Sequence, residues 1–457
     1  MRKREDRREH YSYFLAATAL VVAAISVSVQ ITQEIPLSYA LESPQSKENI
    51  TMTVLFAGPN ETGKSLVDSA ADKLRSNHPD LGINIKYIEL PVYNNTRYQI
   101  LNAITNGTAA DIVTLDQIWL GEFAQKGLLT DLANYTKKWG QLSDWYQSNR
   151  DGMTYNGSIY GVWAWTDVRG VWYWKDLLNN AGVDPNSLET WNGYIAAAKK
   201  LDTVLRPQGI EGVSLTGASH SPDLWYPYLW MLGGDILEHR EGHPTKQPYW
   251  FPAYNSSEGI QALSFIRDQI EAGIIPACCA NIVDRDFAQK RTAMMLGGSW
   301  IPGEFPNDTK QDFESKIGFV PMFPVPDNKT QTSTLMGGWQ FNIPVTSSHK
   351  SLAWELIELM LQPQILTPWI AERGYLPTQI TLGEGPGPYA EQLRKSIPFY
   401  DEMISMIPEG RGRPSIPEYP AIAEDIRQAL DEVYCGIKEP NQALNDAAAK
   451  SAKTLGW

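Results

Sequence analysis

Aromatic rings and charged groups are interleaved in one stretch of this chain. Seven of the twenty residues from Tyr155 to Trp174 are aromatic, and Asp167 and Arg169 stand among them. The whole sequence carries 16 Trp, and proteins use such rings either in the core or on a binding surface. Indole faces beside a carboxylate and a guanidinium suit a ligand with one apolar face and many hydroxyls. A sugar is such a ligand, so the stretch predicts core packing, carbohydrate binding or both.

A second pattern of chemical interest spans residues 58–65. Its letters, GPNETGKS, match the phosphate-binding P-loop and stand between a predicted strand and a predicted helix. The run IVTLD, which ends at Asp116, imitates the apolar strand that carries a metal-binding aspartate. No second nucleotide signature follows Asp116. The part of the chain after the N-terminal export segment described below is expected outside the membrane, where ATP is scarce. A P-loop nucleotide-binding protein is therefore a less favoured alternative, although free N–H groups at a helix start can still bind a ligand.

Paired carboxylates offer an enzymatic alternative. Asp116 and Asp167 can be cast as the two carboxylates of an exported glycosidase. The histidines are scattered. His239 and His243 have the spacing of two metal ligands on one helix face, but a glycine and a proline beside His243 would interrupt such a helix. We therefore expect no metal and no cofactor.

Composition limits the class of protein. Hydrophobic content of 43% and charged content of 20% are typical of a globular chain, and its 457 residues suffice for two or three domains. The net charge of -13 argues against nucleic acid as a partner. Cys278 and Cys279 are adjacent and cannot easily bridge each other, so one of them can pair with Cys435 or all three can stay free.

The N-terminus resembles an export segment. Basic residues precede residues 11–29, which carry no charge and reach about 28 Å as a helix, close to the hydrocarbon thickness of a bilayer. The first 30 residues are an uncleaved transmembrane anchor or a long signal peptide. The basic flank predicts a cytoplasmic N-terminus and an extracellular body. Residues 31–49 then form a polar tether.

Strands and helices must alternate to position these groups. Apolar runs at 51–57, 83–90 and 111–115 predict strands, and 65–75 and 96–105 predict helices between them. This rhythm indicates a mainly parallel sheet covered by helices. Later segments repeat it, with predicted helices at 191–201, 257–272, 348–361, 422–434 and 440–453 and predicted strands at 316–322 and 338–343.

From about Asn49 onward the chain resembles family 1 extracellular solute-binding proteins, the sugar-binding subunits of ABC importers. The likeness is closest to the maltose- and trehalose-binding branch. No single motif is specific, but their order is. The motifs are GTAADIV at 107–113, FAQKGLLTDL at 123–132, GSIYGV at 157–162, WYWKDLL at 172–178, AGVD at 181–184 with TW at 190–191, FAQKRTAMMLGGSW at 287–300, GGW at 337–339 and GYLPT at 374–378.

The resemblance implies a fold of two α/β lobes joined by a hinge, the type II periplasmic-binding-protein-like fold. The first lobe is expected at 50–163 and 322–375, and the second at 164–321 and 376–457. The hinges would lie near 162–165, 320–323 and 374–377. The lipid-anchoring cysteine usual in such proteins is missing, which fits an N-terminal anchor helix.

The same resemblance implies a ligand-binding site between the lobes and no catalytic residue. Its members are expected to be aspartates, tryptophans and one arginine, with two residues of the first loop added: Asp116, Trp119, Trp165, Asp167, Trp225, Trp300, Trp339, Arg413, Asn60 and Glu61. The expected protein is not an enzyme. It is a monomer that binds a di- or oligosaccharide at the extracellular face of the cell membrane and delivers it to ABC permease subunits, or it is secreted if the helix is cleaved.

Overall fold

A computed structural model describes residues 48–57, 63–90, 95–108, 110–215, 222–242, 249–275, 284–305, 312–329 and 331–457. Several predicted features lie outside this set: the apolar segment 11–29, the first part of the P-loop-like motif with Asn60 and Glu61, and His243, Cys278 and Cys279. None of the helices in the described ranges combines the length and the apolar character that a membrane span requires.

The strands follow one another along the chain as short, mostly buried segments. They are β1 (Glu48–Ala57), β2 (Leu81–Leu90), β3 (Ile112–Asp116), β4 (Thr154–Tyr155), β5 (Ser158–Ile159), β6 (Gly161–Asp167), β7 (Arg169–Trp174), β8 (Glu211–Leu215), β9 (Leu237–His239), β10 (Trp250–Pro252), β11 (Thr292–Gly298), β12 (Ile317–Pro321), β13 (Thr334–Leu335), β14 (Gly337–Asn342) and β15 (Gly410–Arg411).

Helices cover the strands and dominate the C-terminal part. They span Lys64–Asn77, Thr96–Thr105, Leu120–Gln125, Ala133–Trp139, Gln147–Gly152, Lys175–Ala181, Trp191–Leu205, Tyr226–Met231, Ser257–Glu271, Asp284–Ala288, Phe313–Lys316, Lys350–Met360, Pro363–Arg373, Ile380–Gly383, Pro388–Ser396, Tyr400–Ser405, Tyr419–Tyr434 and Pro440–Leu455. The longer helices stand where the apolar periodicity predicts them. Those at 191 and 257 begin after Thr190 and Ser256, whose hydroxyls accept the backbone N–H of Gly193 and Gly259.

Two larger sheets organise these elements. The first has the order β2-β1-β3-β14-β6, and the second has the order β12-β7-β11-β8. In the first, β1 runs parallel to β2 and β3, whereas β14 is antiparallel to β3 and β6. In the second, β11 is parallel to β8, and β7 is antiparallel to β11 and β12. Four of the five strands of the first sheet and three of the four strands of the second therefore run in the same direction, as the expectation of a mainly parallel sheet requires. The reversed strands, β14 and β7, each enter their sheet after the chain has crossed between the sheets.

The aromatic stretch is where the chain first crosses from one sheet to the other. Strand β6 belongs to the first sheet and β7 to the second, with only Val168 between them. Trp163, Trp165, Trp172 and Trp174 on these strands are all buried. Burial of a large apolar side chain contributes roughly 1.5–3 kcal/mol, so these four rings hold the crossing firmly in place.

The C-terminal helices are tied to the rest of the chain by polar and covalent links. Tyr254 and Ser451 share a buried hydrogen bond of 2.9 Å between their hydroxyls, and Ser451 donates to Asp425 at 2.9 Å. Cys435, at the end of the helix that starts at Tyr419, is disulfide-bonded.

Candidate functional site

Two carboxylates stand at the ends of two strands of the first sheet that are separated by one strand. Asp116 is the last residue of β3, and its side chain accepts the backbone N–H of Ile118 at 3.3 Å. Asp167 is the last residue of β6. Strand β14 lies between β3 and β6 and pairs Trp339 with Asp116 and Gly337 with Asp167. The register of this one strand therefore places an indole beside one carboxylate and a glycine beside the other.

The two glycines before Trp339 are required by close contacts. A Cβ atom on Gly337 would lie 2.7 Å from Oδ2 of Asp167. Gly338 has φ +139, and a Cβ there would come within 2.1 Å of Nε1 of Trp163. Only glycine adopts this backbone conformation readily and leaves this space free. The close packing of β14 therefore requires the two glycines of the GGW motif.

A chain of alternating charges links the two carboxylates. The guanidinium of Arg413 donates to Oδ1 of Asp116 at 3.1 Å and to Oδ2 of Asp223 at 3.2 Å. Arg169 forms an ion pair with Asp167, and its Nη2 lies 3.9 Å from Oδ2 of Asp223. The order is Asp116, Arg413, Asp223, Arg169, Asp167. The three carboxylates and two guanidiniums have a net charge of one negative unit. This charge suits a ligand that donates hydrogen bonds through hydroxyls better than it suits an anion.

Burial makes these charges interact strongly. Arg413 is 8% exposed, Arg169 is 6% exposed and Asp167 is 8% exposed. Burial lowers the pKa of the Arg413 guanidinium, but the surrounding groups, with Asp116 and Asp223 first among them, together raise that pKa by more, and the net direction is upward. Burial raises the pKa of the Asp116 carboxyl, Arg413 lowers it, and Asp223 raises it again, with a net increase.

Three indoles around this chain keep part of their surface accessible. Trp119 and Trp339 meet edge to face, with ring centroids 5.5 Å apart and an interplanar angle of 87°. Trp300 follows β11, and the guanidinium carbon of Arg169 lies 4.5 Å from its ring centroid. All three rings are only half-buried. Aromatic faces beside hydrogen-bonding groups are the combination that sugar rings need.

Two other tryptophans expected at the site lie in the core. Trp165 is 3% exposed and is stacked between Phe56 at 5.7 Å and Tyr375 at 5.6 Å. Trp225 is fully buried at the start of the helix Tyr226–Met231. The structure thus brings six of the expected residues together, namely Asp116, Trp119, Asp167, Trp300, Trp339 and Arg413.

Sequence reasoning missed Asp223, and it noted Arg169 beside Asp167 without placing it among the expected site residues. Asp223 precedes the helix Tyr226–Met231 and contacts Arg413 across 190 positions. No local pattern marks such a partner, because the contact depends on how distant segments fold back. A sequence-level hint exists only for Arg169, which stands two residues after Asp167 in the aromatic stretch.

The described part of the chain gives less support to a nucleotide-binding, a metal-binding or a glycosidase site. Lys64 of the P-loop-like motif forms an exposed ion pair with Asp68 at 2.5 Å. Within the described ranges, no group of three or more His, Cys, Asp or Glu could hold a metal ion. Asp116 and Asp167, the two carboxylates of the glycosidase alternative, are each paired with an arginine.

Comparison with known proteins agrees with this architecture. The family described as bacterial extracellular solute-binding protein matches residues 57–365. A binding protein of Brucella abortus is 23% identical over 82% of this chain and 86% of its own length. The mannitol-binding protein of Pseudomonas aeruginosa is 21% identical over 88% of this chain and 93% of its own. The GacH receptor of Streptomyces glaucescens, solved unliganded and with acarbose, has a TM-score of 0.74 at 22% identity and covers 89% of this chain and 98% of that one.

Proposed function

The chain belongs to the family of bacterial extracellular solute-binding proteins, and from that premise we propose that it captures a di- or oligosaccharide between two lobes and delivers it to the permease of an ABC importer. The first lobe would be built on the sheet that holds β3 and β14, and the second on the sheet that holds β7 and β11. Both lobes are α/β, as in the structural relatives of the chain.

One observation carries the proposal. Three half-buried indoles surround a continuous chain of charged groups to which both sheets contribute. Asp116 and Trp339 come from the first sheet, and Arg169 and Trp300 come from the second or directly follow it. A carbohydrate offers C–H faces to the rings and hydroxyls to the carboxylates and guanidiniums. A relative that binds mannitol and one solved with acarbose support this class of ligand.

The mechanism is mechanical. A ligand that touches groups of both lobes binds the closed arrangement more tightly than the open one, and it shifts the population by that difference in affinity. The permease then recognises the closed shape. No bond is broken, because the carboxylates act as hydrogen-bond acceptors held in place by Arg413 and Arg169.

Export and anchoring belong to the same proposal. An extracellular receptor must stay near its permease, and residues 11–29 are the part of the sequence suited to a membrane anchor. The described body would then act as a monomer outside the membrane, without a cofactor or a nucleic acid partner.

A thermal-shift screen of the full-length protein against mono-, di- and oligosaccharides tests the function. A ligand that binds only the folded state stabilises it by about 2.7 kcal/mol at a hundred times its Kd. The midpoint of unfolding should rise with the logarithm of the concentration of at least one saccharide. If no saccharide shifts the midpoint, while a nucleotide or another solute class does, the proposal fails.

A further inference from the structure

A recurrent motif of this chain has no part in the charged site. The sequence Asn-x-Ser/Thr, at which N-linked glycans are attached to exported proteins, occurs nine times. Chance would give about three such motifs among the 22 asparagines of the chain. Six of the nine asparagines lie in the described ranges, and none of the six is buried. They are Asn49, Asn106, Asn134, Asn156, Asn255 and Asn328.

Three of these asparagines lie where strands of the first sheet begin. Asn49 is the second residue of β1, Asn106 stands between the helix Thr96–Thr105 and β3, and Asn156 lies in the hairpin β4–β5 just before β6. Strands β1 and β3 are parallel, and β3 and β6 share a direction because both are antiparallel to β14. The starts of these three strands therefore lie at one edge of the sheet, which we call the start edge.

The start edge is opposite the charged site. Asp116 and Asp167 are the last residues of β3 and β6, so they lie at the other edge of the same sheet. Val54 of β1 pairs with Ile112 of β3. This register separates Asn49 from Asp116 by about nine residues along the strands, or roughly 30 Å. A bulky, hydrated glycan at the start edge would thus leave the ligand site uncovered.

The hairpin presents its asparagine to solvent. Asn156 and Gly157 form the two-residue turn between β4 and β5, with φ angles of 48° and 79°. Both residues are exposed, and Ser158 of the same motif is half-buried. Asn-Gly is typical of such a turn, because both positions need a positive φ. The motif therefore stands at the tip of a hairpin, where a transferase can reach it.

The hydroxyl residue of the motif separates one asparagine from the others. Thr51 and Thr108, which complete the motifs of Asn49 and Asn106, are exposed. Thr136, which completes the motif of Asn134, is 4% exposed, and its hydroxyl donates to two backbone carbonyl oxygens at 3.1 and 3.2 Å. A transferase that recognises this hydroxyl cannot reach it in the folded chain. Asn134 is therefore an internal negative control.

We propose that the folded, exported chain carries N-linked oligosaccharides on Asn49, Asn106 and Asn156, at the start edge of the first sheet. The donor is an oligosaccharide linked to a lipid phosphate and used by a membrane transferase. The side-chain nitrogen of asparagine forms a bond to C1 of the first sugar, the bond from C1 to the phosphate oxygen breaks, and the lipid phosphate leaves with the amide proton. The proposal goes beyond the proposed function and shares with it only the export of the chain.

The test is mass spectrometry of the full-length protein from the cells that naturally make it. The protein is denatured first, so that bound saccharide is lost and only covalent sugar remains. Peptides with the three start-edge asparagines should carry sugar masses, and the peptide with Asn134 should be bare. Expressed in the same cells, Thr51→Ala should lower the intact mass by one glycan, whereas the matched control Thr51→Ser keeps the motif and should keep the glycan.

A second pair of variants addresses the hairpin. Ser158→Ala should remove the glycan of Asn156, and Ser158→Thr should retain it. For a saccharide that binds the wild type, the Kd of Thr51→Ala should stay within about twofold of the wild-type value, a change below about 0.4 kcal/mol, because its glycan lies at the far edge of the sheet.

Two results would overturn the inference alone. Bare peptides at all three start-edge asparagines, or a glycan on Asn134 in their place, would remove it and leave saccharide binding and delivery to be judged by the thermal-shift screen. Recovery of the chain from the cytoplasm without any glycan would remove this inference and the proposed function together.

Discussion

Arg413 and Asp116 are 297 positions apart in the chain, and their side chains meet at 3.1 Å. Asp116 closes a strand of the first sheet, whereas Arg413 lies in the segment between β15 and the C-terminal helices. The same guanidinium reaches Asp223, so one side chain fastens three distant segments together. A ligand hydroxyl that binds Asp116 must share it with Arg413, and the ion pair therefore sets the charge pattern that the ligand meets.

Removal of this arginine should destabilise the fold. Arg413→Met leaves Asp116 without its counter-ion and Asp223 with only Arg169 at 3.9 Å, and the two aspartate side chains are only 20% and 17% exposed. We expect the free energy of unfolding in urea to fall by about 3 kcal/mol, the lower end of the range for breaking a buried pair. The control is Arg427→Met, because Arg427 also pairs with two carboxylates but is 38% exposed, and its loss should stay below about 1 kcal/mol. Equal losses of unfolding free energy in both variants would show that the buried pairs of Arg413 stabilise the fold no more than the exposed pairs of Arg427.

The indole of Trp339 should contribute to ligand affinity more than to stability. Its ring is half-buried, and one of its contacts is an edge-to-face pair with Trp119. For a saccharide that binds the wild type, Trp339→Ala should raise Kd at least about tenfold in calorimetry, as for a binding hot spot. Trp250→Ala is the control, because Trp250 is also half-buried but lies on the separate hairpin β9–β10. A Kd unchanged by Trp339→Ala, or raised equally by the control, would argue against stacking at this position.

Local sequence patterns were sufficient for several of the elements and insufficient for their pairing. The helix at 96–105 and the strands that end at Ala57 and Leu90 follow from apolar periodicity alone. The antiparallel direction of β14 does not, because it depends on the crossing of the chain between the sheets. Asp116 and Asp167 were expected at the site from the family resemblance, and the folded chain links them through Arg413, Asp223 and Arg169.

The same limit explains the tryptophans. Trp165 and Trp300 both stand among apolar and small residues, so their local sequence does not show which of them is in the core. Their difference arises from what packs on each ring: Phe56 and Tyr375 cover Trp165, whereas the guanidinium of Arg169 lies over Trp300. These partners come from distant parts of the chain, so only the folded arrangement separates a core ring from a surface ring.

This difference gives a pair of opposite expectations. Trp165→Ala should cost about 3–5 kcal/mol of unfolding free energy, because it leaves a cavity between two packed rings. Trp300→Ala should cost clearly less stability, because the ring is half-buried, and should raise the saccharide Kd more than any variant that only destabilises the fold. Urea unfolding and calorimetry on both variants check this. If Trp300→Ala destabilises as much as Trp165→Ala with no change in Kd, Trp300 is a core residue.

Asp116 should make the free energy of unfolding depend on pH. Burial is the largest cause of its raised pKa in the folded state. The folded protein therefore binds a proton at Asp116 more readily than the unfolded chain, and the contribution of this group to stability falls as pH rises from the ordinary aspartate pKa to the raised one. The difference in unfolding free energy between wild type and Asp116→Asn should thus shift in favour of wild type as the pH falls through this window. Urea titrations of both proteins at a series of pH values measure it, and a shift in favour of Asp116→Asn on acidification would contradict the sign.

The glycine before Trp339 offers the sharpest steric test. Gly338→Ala puts a Cβ within 2.1 Å of Nε1 of Trp163 and 2.2 Å of the carbonyl oxygen of Trp165, at a φ of +139 that alanine rarely adopts. Strand β14 must shift to relieve this contact, and the shift moves Trp339 away from Asp116. We expect a loss of at least about 1–3 kcal/mol of unfolding free energy, the cost of strained backbone, and a change in the saccharide Kd. Gly387→Ala is the control, because a Cβ at Gly387 meets nothing within 4 Å and its φ of -72 suits any residue. If Gly338→Ala unfolds at the same urea concentration as Gly387→Ala and binds saccharide like the wild type, β14 does not fix the position of Trp339 in the way described.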